Sequence, residues 1–398
     1  MKLLSVEDAR ARMLAGVEPL AAEEVALALA NGRFLAGAVV ASRNQPPFAA
    51  SAMDGWAVRS EDGVGPRRIT GESAAGCGYA GSVGPGEAVR IFTGAAVPDG
   101  ADAVVIQEDA QREGDTVYIP RVTDPRHIRA AGLDFHAGAI LLERGVRLDP
   151  WRLSLAAAAG LATVPVHRRP RVAILSTGEE VVEPGGAPGP FQIFNSGSTA
   201  LTALAKTWGA DATAVPSVGD DEAATADAVA DAGGDLIITL GGASVGDHDL
   251  VKPALKRLGL ELIVESVAVR PGKPTWFGVL ADGRRVLGLP GNPASALVCA
   301  ELFLQPLLRT MQGAEPKPRI VTARTHAALG ANGDREHWMR ARLAYEPDGG
   351  LWISPLKDQD SSLVTIFAQA DALVRRARQA PASKVGDVVE ILILDRLW

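Results

Sequence analysis

Four carboxylates follow closely on apolar, strand-like stretches in the central part of the chain. Asp247 and Asp249 come after the run LIITL and a glycine-rich turn, while Glu180 and Asp220 follow two earlier runs. Carboxylates beside phosphate groups commonly hold a hard divalent cation, and Mg²⁺ prefers such oxygen ligands. The sequence has no HExxH motif or comparable histidine spacing, so a zinc site is not expected. The pattern indicates Mg²⁺ beside a phosphate-bearing ligand.

Two cations on a proline-stiffened loop complement these acids. Arg270 and Lys273 lie in the run RPGKP, and the run PGNPAS places Asn292 or Pro293 at the start of a long predicted helix. Unpaired N–H groups and the helix dipole favour an anion at such a start. Together these groups suit an extended ligand that carries phosphate.

Each of these features also has a purely structural interpretation. Asp220 and Asp221 are equally good helix caps, the turn GGASVG suits residues with positive φ, and PGNP is a stiff helix entry. Their concurrence at one predicted sheet edge favours a binding site over three separate structural roles.

A second cluster lies much earlier in the chain. Asp54, in PPFAASAMDGWAV, precedes a predicted strand, and Thr93 and Gly94 occupy a predicted turn. Asp54 could equally be an Asx-turn acid ahead of Gly55. Spacing alone leaves both interpretations open.

The elements that must position the central cluster alternate between strand and helix. Strands are predicted at 171–177, 212–215, 236–240, 274–280 and 285–289, with helices between them and a long helix from 293. This alternation implies a doubly wound, mostly parallel sheet over residues 168–313, whose ligands bind at the carboxyl ends of the strands. The candidate ligand-binding residues at that edge are Thr177, Gly178, Gly241, Gly242, Ser244, Pro290, Gly291, Asn292, Pro293 and Ser295.

The flanking regions differ in character. Helical spacing over residues 5–35, together with a helical piece at 150–160, predicts a discontinuous helical domain of residues 1–46 and 134–167. Short β-type runs predict an inserted β-rich domain at 47–133. Its GxGxxG at Gly76, Gly78 and Gly81 is interpreted as a plain loop, because the following SVGPGEAV cannot open a helix. Residues 314–398 predict a small β-barrel or sandwich, which makes the whole an α/β multidomain protein.

Composition limits the partners. A formal net charge of −7 argues against nucleic acid or an anionic membrane. The two cysteines, both expected to be buried, cannot form a disulfide framework, and the amino terminus lacks the apolar run of a signal peptide. The longest apolar span, from Leu153, is shorter than a membrane helix. A cytoplasmic protein is expected.

Six strings resemble the molybdopterin molybdenumtransferase family, which includes the E domain of gephyrin. SAMDGWAV, IFTGAAVPDGADAVV, STGEE, LGGASVGDHDLVK, RPGKP and LPGNPAS occur in the family's order and spacing, over essentially the whole chain. The resemblance implies an elongated homodimer with an α/β domain like that of molybdopterin adenylyltransferases and a C-terminal β-barrel. It implies a reaction of adenylylated molybdopterin with molybdate, promoted by Mg²⁺, that yields molybdenum cofactor, AMP and water.

The resemblance also assigns roles residue by residue. It implies catalytic roles for Asp54, Thr93, Asp134 and Asp220, and metal binding for Glu180 and Asp249. Arg270 and Lys273, with the turn 290–293, would hold the molybdate dianion. The family cleft lies between the α/β domain of one subunit and the inserted domain of the other. A molybdopterin adenylyltransferase and molybdoenzyme maturation proteins are the protein partners that this pathway would supply.

Three positions depart from the family pattern. Leu240 and Leu250 stand where relatives often carry Ser and Tyr, and Arg270 stands where some have Lys. Arginine keeps the charge but offers a planar, bidentate fork. Two alternative functions remain open at this point: a molybdopterin adenylyltransferase-like enzyme, and a non-catalytic scaffold of the same fold.

Overall fold

The computed structural model describes residues 3–120, 127–242, 250–316, 319–347 and 349–395. Contacts between residues divide the chain into two compact units. Unit 1 comprises Met1–Glu23, Gly32–Ala36 and Val166–Trp398, and unit 2 comprises Glu24–Asn31 and Gly37–Pro165. The finer division into four domains stays a prediction.

Unit 1 contains a six-stranded sheet that confirms the predicted doubly wound, mostly parallel fold. The strand order is Asp211–Val218, Arg171–Thr177, Leu236–Leu240, Arg285–Leu289, Trp276–Val279 and Glu261–Val264. The first four strands run parallel, and Trp276–Val279 runs antiparallel to both of its neighbours. Every residue of Leu236–Leu240 is buried, as expected for a strand covered by helices on both faces. The edge strand Glu261–Val264 was not predicted.

Three of the α-helices in the described part of unit 1 begin at a side-chain cap, the first of them at Ser5. The Asn195 side chain accepts from Ser198 N–H at the start of Ser196–Thr207, and Asp221, rather than Asp220, accepts from Ala224 N–H at the start of Glu222–Asp231. Asp220 is therefore not used as the cap. The α-helices are Val6–Leu14, Ser196–Thr207, Glu222–Asp231, Val251–Lys256, Pro293–Cys299, Gln305–Met311 and Val364–Gln369, with a π-helical turn at Ala300–Leu304.

The C-terminal strands of unit 1 close into the predicted β-barrel. The order is Glu336–Tyr345, Leu351–Pro355, Ile320–Thr325, Val388–Ile393 and Ala372–Arg376, and the last strand pairs back with the first. A short strand, Val269–Arg270, runs parallel to the start of Glu336–Tyr345 and places Arg270 opposite His337. The loop that carries Arg270 is thus anchored to the barrel. Val181–Val182 and Ile193–Phe194 form a small separate pair.

Unit 2 is built on a second six-stranded sheet, as the β-type runs predicted. Its order is Ala103–Ile106, Gly55–Val58, Glu87–Ile91, Gly65–Ser73, Thr116–Ile119 and Gln111–Glu113. Val39–Val40 pairs with Ile140–Leu142, and Ala50–Ser51 pairs with Ile128–Arg129. The helix Pro150–Ala158 begins at Asp149, and 3₁₀ turns span Leu27–Leu29, Ser60–Asp62 and Gln107–Asp109. Gly76, Gly78 and Gly81 lie in a loop that no helix follows, as predicted.

Two sequence-based expectations are wrong. The predicted helix over 5–35 holds only for Val6–Leu14, because Ala22–Ala26 is a strand. Just after it, Leu27 N–H donates to the distant Ala162 carbonyl at 3.1 Å, so long-range pairing overrides the local helical spacing. Cys77 is exposed on its glycine-rich loop, and only Cys299 is buried.

No helix in the described part of the chain is long and apolar enough to cross a membrane.

Candidate functional site in two clefts

The carboxyl ends of three parallel strands meet in unit 1, as the alternating pattern predicted. Gly241 N–H donates to the Leu289 carbonyl at 3.3 Å. A Cβ on Gly241 would lie 2.7 Å from the Thr177 carbonyl oxygen, and one on Gly291 would lie 3.6 Å from Gly241 Cα. Gly241, with φ of +95°, therefore fills a place where a side chain would both strain the backbone and collide. The structure brings Thr177, Gly178, Gly241, Gly242, Pro290 and Gly291 to this edge.

Glu180 and Asp220 lie beyond the same strands, and both are exposed. The Glu180 carboxylate folds back over Gly178, where an added Cβ would lie 2.3 Å from Oε2. It has no hydrogen-bonding partner among the described residues, so it is available to an incoming cation. One free carboxylate beside substrate phosphates suits Mg²⁺, which usually keeps most of its waters. Asp249 and Ser244 lie outside the described residues, and the described part of the chain holds no ready-made group of three metal ligands.

A cleft of about 520 Å³ in unit 1, here called the cationic cleft, gathers the predicted anion-binding residues. Arg270, Lys273, Pro290, Asn292 and Ser295 line it together with Arg335 and the loop 358–361 of the barrel. Within the described chain, the side chains of Arg270, Lys273 and Arg335 make no hydrogen bond or ion pair. Two carboxylates, Asp358 and Asp360, line the same cavity, but they accept hydrogen bonds from Asp360 N–H and from Ser362. The three cations without a described ion-pair partner outnumber them, which is an arrangement that favours an anion.

Contacts with the buried Cys299 and with Thr275 fix the backbone of the RPGKP loop. Gly272 has φ of +115°, and a Cβ there would lie 2.1 Å from the Cys299 sulfur. The Thr275 hydroxyl donates to the Gly272 carbonyl at 2.8 Å and also contacts Cys299 Sγ at 3.1 Å. Burial raises the pKa of the Cys299 thiol to about 12, so it stays protonated and acts as a packing group. The loop presents Arg270 and Lys273 from a fixed backbone.

The pKa of His337 is affected by the positive charges beside the cationic cleft. Burial, and after it the charges of Arg270, Arg340, Arg335 and Arg376, lowers its pKa to about 4. The imidazole is therefore neutral at pH 7. Sequence reasoning missed this barrel contribution, although the basic run REHWMRAR on one strand could have indicated it.

The start of the helix Pro293–Cys299 is less open to an anion than the sequence suggested. Ala294 N–H donates to the Ser361 carbonyl at 3.1 Å, and Asn292 Nδ2 donates to Ser361 Oγ at 3.0 Å. The barrel loop therefore occupies part of the helix terminus. Anion binding in this cleft depends mainly on the three side-chain cations.

Asp54 and Thr93 are brought together in unit 2. Thr93 donates to Asp54 Oδ1 twice, from its backbone N–H at 2.7 Å and from its hydroxyl at 2.8 Å. These two bonds hold the pKa of Asp54 below its ordinary value against an opposing effect of burial, and the charge of Arg90 adds a still smaller lowering effect. The bonds reach 39 residues along the chain, so Asp54 is not a local Asx-turn acid. It is a fixed, ionised carboxylate.

A second cleft, of about 620 Å³ and here called the unit 2 cleft, contains Asp134. Gly94, the residue after Thr93, also lines it, with Arg43, Phe48, Arg129 and Leu133. The Asp134 side chain is exposed, and its backbone N–H is fixed to the Gln45 carbonyl at 2.9 Å. Asp54, Thr93 and Asp134 thus belong to unit 2, and every other described candidate belongs to unit 1.

Of the departures from the family pattern, Leu240 is buried and packs against Gly197, where a Cβ would lie 2.4 Å from Leu240 Cδ2. It belongs to the core beneath the sheet edge and offers no polar contact to a ligand.

Comparison with known proteins decides the family. A molybdopterin molybdenumtransferase of a Nostoc species is 38% identical over 335 residues, covering 81% of this chain and 77% of the relative. The enzyme of the same name from Haemophilus influenzae is 32% identical over 401 residues, 98% of each chain. The chain belongs to the molybdopterin molybdenumtransferase family.

Family descriptions and solved structures agree with this membership. The descriptions "MoeA N-terminal region (domain I and II)", "Probable molybdopterin binding domain" and "MoeA C-terminal region (domain IV)" match residues 4–160, 173–310 and 322–394. The crystal structure of a molybdopterin biosynthesis MoeA protein from Pyrococcus horikoshii is 30% identical and covers 100% of both chains with a TM-score of 0.86. In family terms, the cationic cleft lies between the molybdopterin-binding region and the C-terminal region.

Proposed function

We propose that this protein is a molybdopterin molybdenumtransferase, which inserts molybdate into adenylylated molybdopterin and releases AMP and water. The observation that carries the proposal is the cationic cleft, where Arg270, Lys273 and Arg335 have no partner in the described chain. Family membership supplies the substrate class, and the cleft supplies a place for a dianion. The two supports are independent of each other.

The cations would hold molybdate by charge-assisted hydrogen bonds. Arg270 and Arg335 can each present two parallel N–H donors to two oxygens of the tetrahedral anion, while Lys273 acts as a point charge. Ser295, which is buried at the base of the cleft, offers a hydroxyl. Holding the anion in one orientation would lower the entropic cost of its reaction with the dithiolene sulfurs.

The acids would divide the remaining work. Asp54 is ionised and fixed by Thr93, so it can orient the pterin or accept a proton without reorganising. Asp134 and Asp220 are exposed acids that can serve the same substrate. Glu180, with Asp249, would hold Mg²⁺, which when bound neutralises the phosphoanhydride and the leaving AMP.

A cytoplasmic homodimer is part of the proposal, since the family resemblance implies a cleft between the α/β domain of one subunit and the inserted domain of the other. Exposed apolar side chains on unit 2 support self-association: Trp151 is 83% exposed, Leu29 71% and Ile140 58%. A molybdopterin adenylyltransferase would supply the adenylylated substrate, and molybdoenzyme maturation proteins would receive the product. Nucleic acid and membranes are not expected partners.

The test is AMP release from adenylylated molybdopterin by the full-length protein, with and without molybdate and Mg²⁺. Wild type should release AMP only when both are present, and Arg270→Met should lose most of the activity. Arg324→Met, which removes an exposed arginine on a barrel strand away from the cleft, is the matched control and should behave like wild type.

Three outcomes would contradict the proposal. AMP release that ignores molybdate would exclude molybdenum insertion. ATP consumption with plain molybdopterin would favour an adenylyltransferase-like enzyme. Absence of AMP release by wild type with both molybdate and Mg²⁺ present would favour a non-catalytic scaffold of the same fold.

A further inference from the structure

Arg90 of unit 2 is a half-buried cation that the proposed chemistry leaves without a role. It lies on the strand Glu87–Ile91, directly opposite Trp56 on the strand that follows Asp54. Within the described residues its guanidinium has no carboxylate within ion-pair distance. A partly buried charge that lacks a counter-ion is costly, so its position calls for a reason other than a surface ion pair.

The guanidinium contacts backbone and side chains on both sides of Asp54. Nη1 donates to the carbonyl of Gly55, the residue after Asp54, at 2.9 Å. Nη2 donates to Gln107 Oε1 at 2.6 Å, and Gln107 N–H in turn donates to the carbonyl of Asp54 itself at 3.0 Å. One planar group therefore fixes the peptide on the carboxyl side of Asp54 and the residue that holds the Asp54 carbonyl.

The same guanidinium also reaches the Thr93 turn. Its central carbon lies 4.8 Å from the centre of the Phe92 ring and 5.2 Å from that of Trp56, within cation–π distance of both. Phe92 immediately precedes Thr93, which donates the two hydrogen bonds to Asp54. Arg90 thus contacts the residue after Asp54, the residue that holds the Asp54 carbonyl and the residue before Thr93.

We propose that Arg90 is a positioning residue that clamps Asp54, Gln107 and the Thr93 turn into one rigid unit. It acts through these groups and does not itself touch substrate. The fork geometry is essential, since only a planar group with several donors can bond Gly55 and Gln107 at once while it lies over two rings. Its charge has a second effect, which is to favour the ionised form of Asp54. The expected effect of Arg90 on turnover rests on the proposed function, whereas its positioning of Asp54, Gln107 and the Thr93 turn does not.

The chain offers a matched control in Arg112. Its guanidinium also lies over the Trp56 ring, at 5.9 Å, but among the described residues it donates only to the Gly114 carbonyl. Arg112→Gln therefore removes one arginine from the same ring without disturbing Gly55, Gln107 or Phe92. Any general effect of deleting a cation at this sheet should appear equally in both variants.

The experiment measures the titration of the Asp54 carboxyl by ¹³C NMR of protein labelled at aspartate Cγ, with the resonance assigned by its loss in Asp54→Asn. Arg90→Gln should raise the pKa of Asp54 and broaden the resonance, while Arg112→Gln should leave both as in wild type. Arg90→Lys keeps the charge but not the fork, so the pKa should stay close to that of wild type while the resonance still broadens. This measurement needs no substrate and remains decisive even if the protein does not transfer molybdenum.

Turnover gives the second readout. Arg90→Gln and Arg90→Lys should lower kcat for AMP release by roughly 10- to 100-fold, the loss expected from a displacement of about 1 Å. The KM for molybdate should not change. If Arg90→Gln does not fold, Gln107→Leu breaks the same chain of contacts and should reduce kcat about threefold. Equal behaviour of Arg90→Gln and Arg112→Gln in the titration, or an unchanged kcat in both Arg90 variants, would overturn the proposal.

Discussion

The two clefts hold charge in opposite ways. In the cationic cleft of unit 1, Arg270, Lys273 and Arg335 make no described contact that would neutralise them. In unit 2, Asp54 is already bonded twice by Thr93 and faces the charge of Arg90. An unpaired group gains most when a charged ligand arrives, whereas a paired one is already fixed. The contrast supports the proposal that unit 1 would bind the anion and that unit 2 would contribute a preset carboxylate.

The two clefts also differ in the polarity of their walls. The cationic cleft is bounded by polar loops and by the barrel residues Asp358–Ser361, while the unit 2 cleft exposes Phe48 and Leu133. An apolar wall beside Arg43 and Arg129 suits a flat ring that carries an anionic group. The proposed substrate has such parts, and molybdate does not.

Replacing Asp54 by Asn should have the largest effect on turnover. The variant loses the carboxylate charge but keeps the shape, so kcat for AMP release should fall roughly 100-fold or more, while the KM for molybdate should stay unchanged. Asp102 is the matched control, because it also accepts the N–H and the hydroxyl of one residue, Ser60, on its two oxygens, both at 2.6 Å. Normal kcat in Asp54→Asn, or an equal loss in Asp102→Asn, would remove the distinction between the clefts.

Arg335→Met should act on binding and not on kcat. The loss of charge-assisted hydrogen bonds to the anion should raise the KM for molybdate roughly 10- to 100-fold. The deficit should shrink at high salt, because screening weakens the wild-type interaction as well. Arg335→Lys should recover part of the affinity. A fall in kcat with unchanged KM would mean that Arg335 serves the chemistry.

Gly272→Ala tests whether the cationic cleft is preorganised. Its new Cβ would collide with Cys299, so the free energy of unfolding in urea should fall by about 2–4 kcal/mol, and molybdate binding should weaken. Gly283→Ala is the control: Gly283 also has positive φ but has nothing within 4 Å, and should cost only about 1 kcal/mol. An equal loss of unfolding free energy in the two variants would show that the RPGKP loop can move to accommodate the added Cβ and is not preorganised.

Thr93→Val should give the smallest effect. It removes the hydroxyl bond to Asp54 but keeps the N–H bond, which is the larger cause of the lowered pKa. In wild type, Asp54 stays ionised above its folded-state pKa and loses its charge as the pH falls through it. The variant should therefore move the acidic limb of the pH–rate profile to higher pH. Ser60→Ala, which affects only Asp102, should leave the profile in place.

The sequence predicted the regular parts of the fold well. Leu236–Leu240 and Arg285–Leu289 were expected at the residues where they occur, because each is a short, mainly apolar run between turn residues. It failed at Ala22–Ala26, whose helical spacing was overridden by pairing across more than a hundred residues. Local pattern carries no information on that pairing.

The candidate site was predictable only in part. The strand-edge loops followed from the parallel topology, which brings Thr177, Gly241 and Pro290 together. Arg335 and Arg90 were not expected, since one comes from the barrel and the other from a neighbouring strand. Their positions depend on how elements pack. The basic run that begins at Arg335 was a usable signal, whereas Arg90 stands in a run that does not differ from an ordinary amphipathic strand.

The most direct test of the central claim is equilibrium dialysis of molybdate against the full-length protein at fixed ionic strength, without the pterin substrate. Wild type and Asp54→Asn should bind molybdate equally, while a Lys273→Met/Arg335→Met double variant should lose binding by 100-fold or more. Wild-type affinity in the double variant, or loss of binding in Asp54→Asn, would contradict the assignment of anion binding to unit 1.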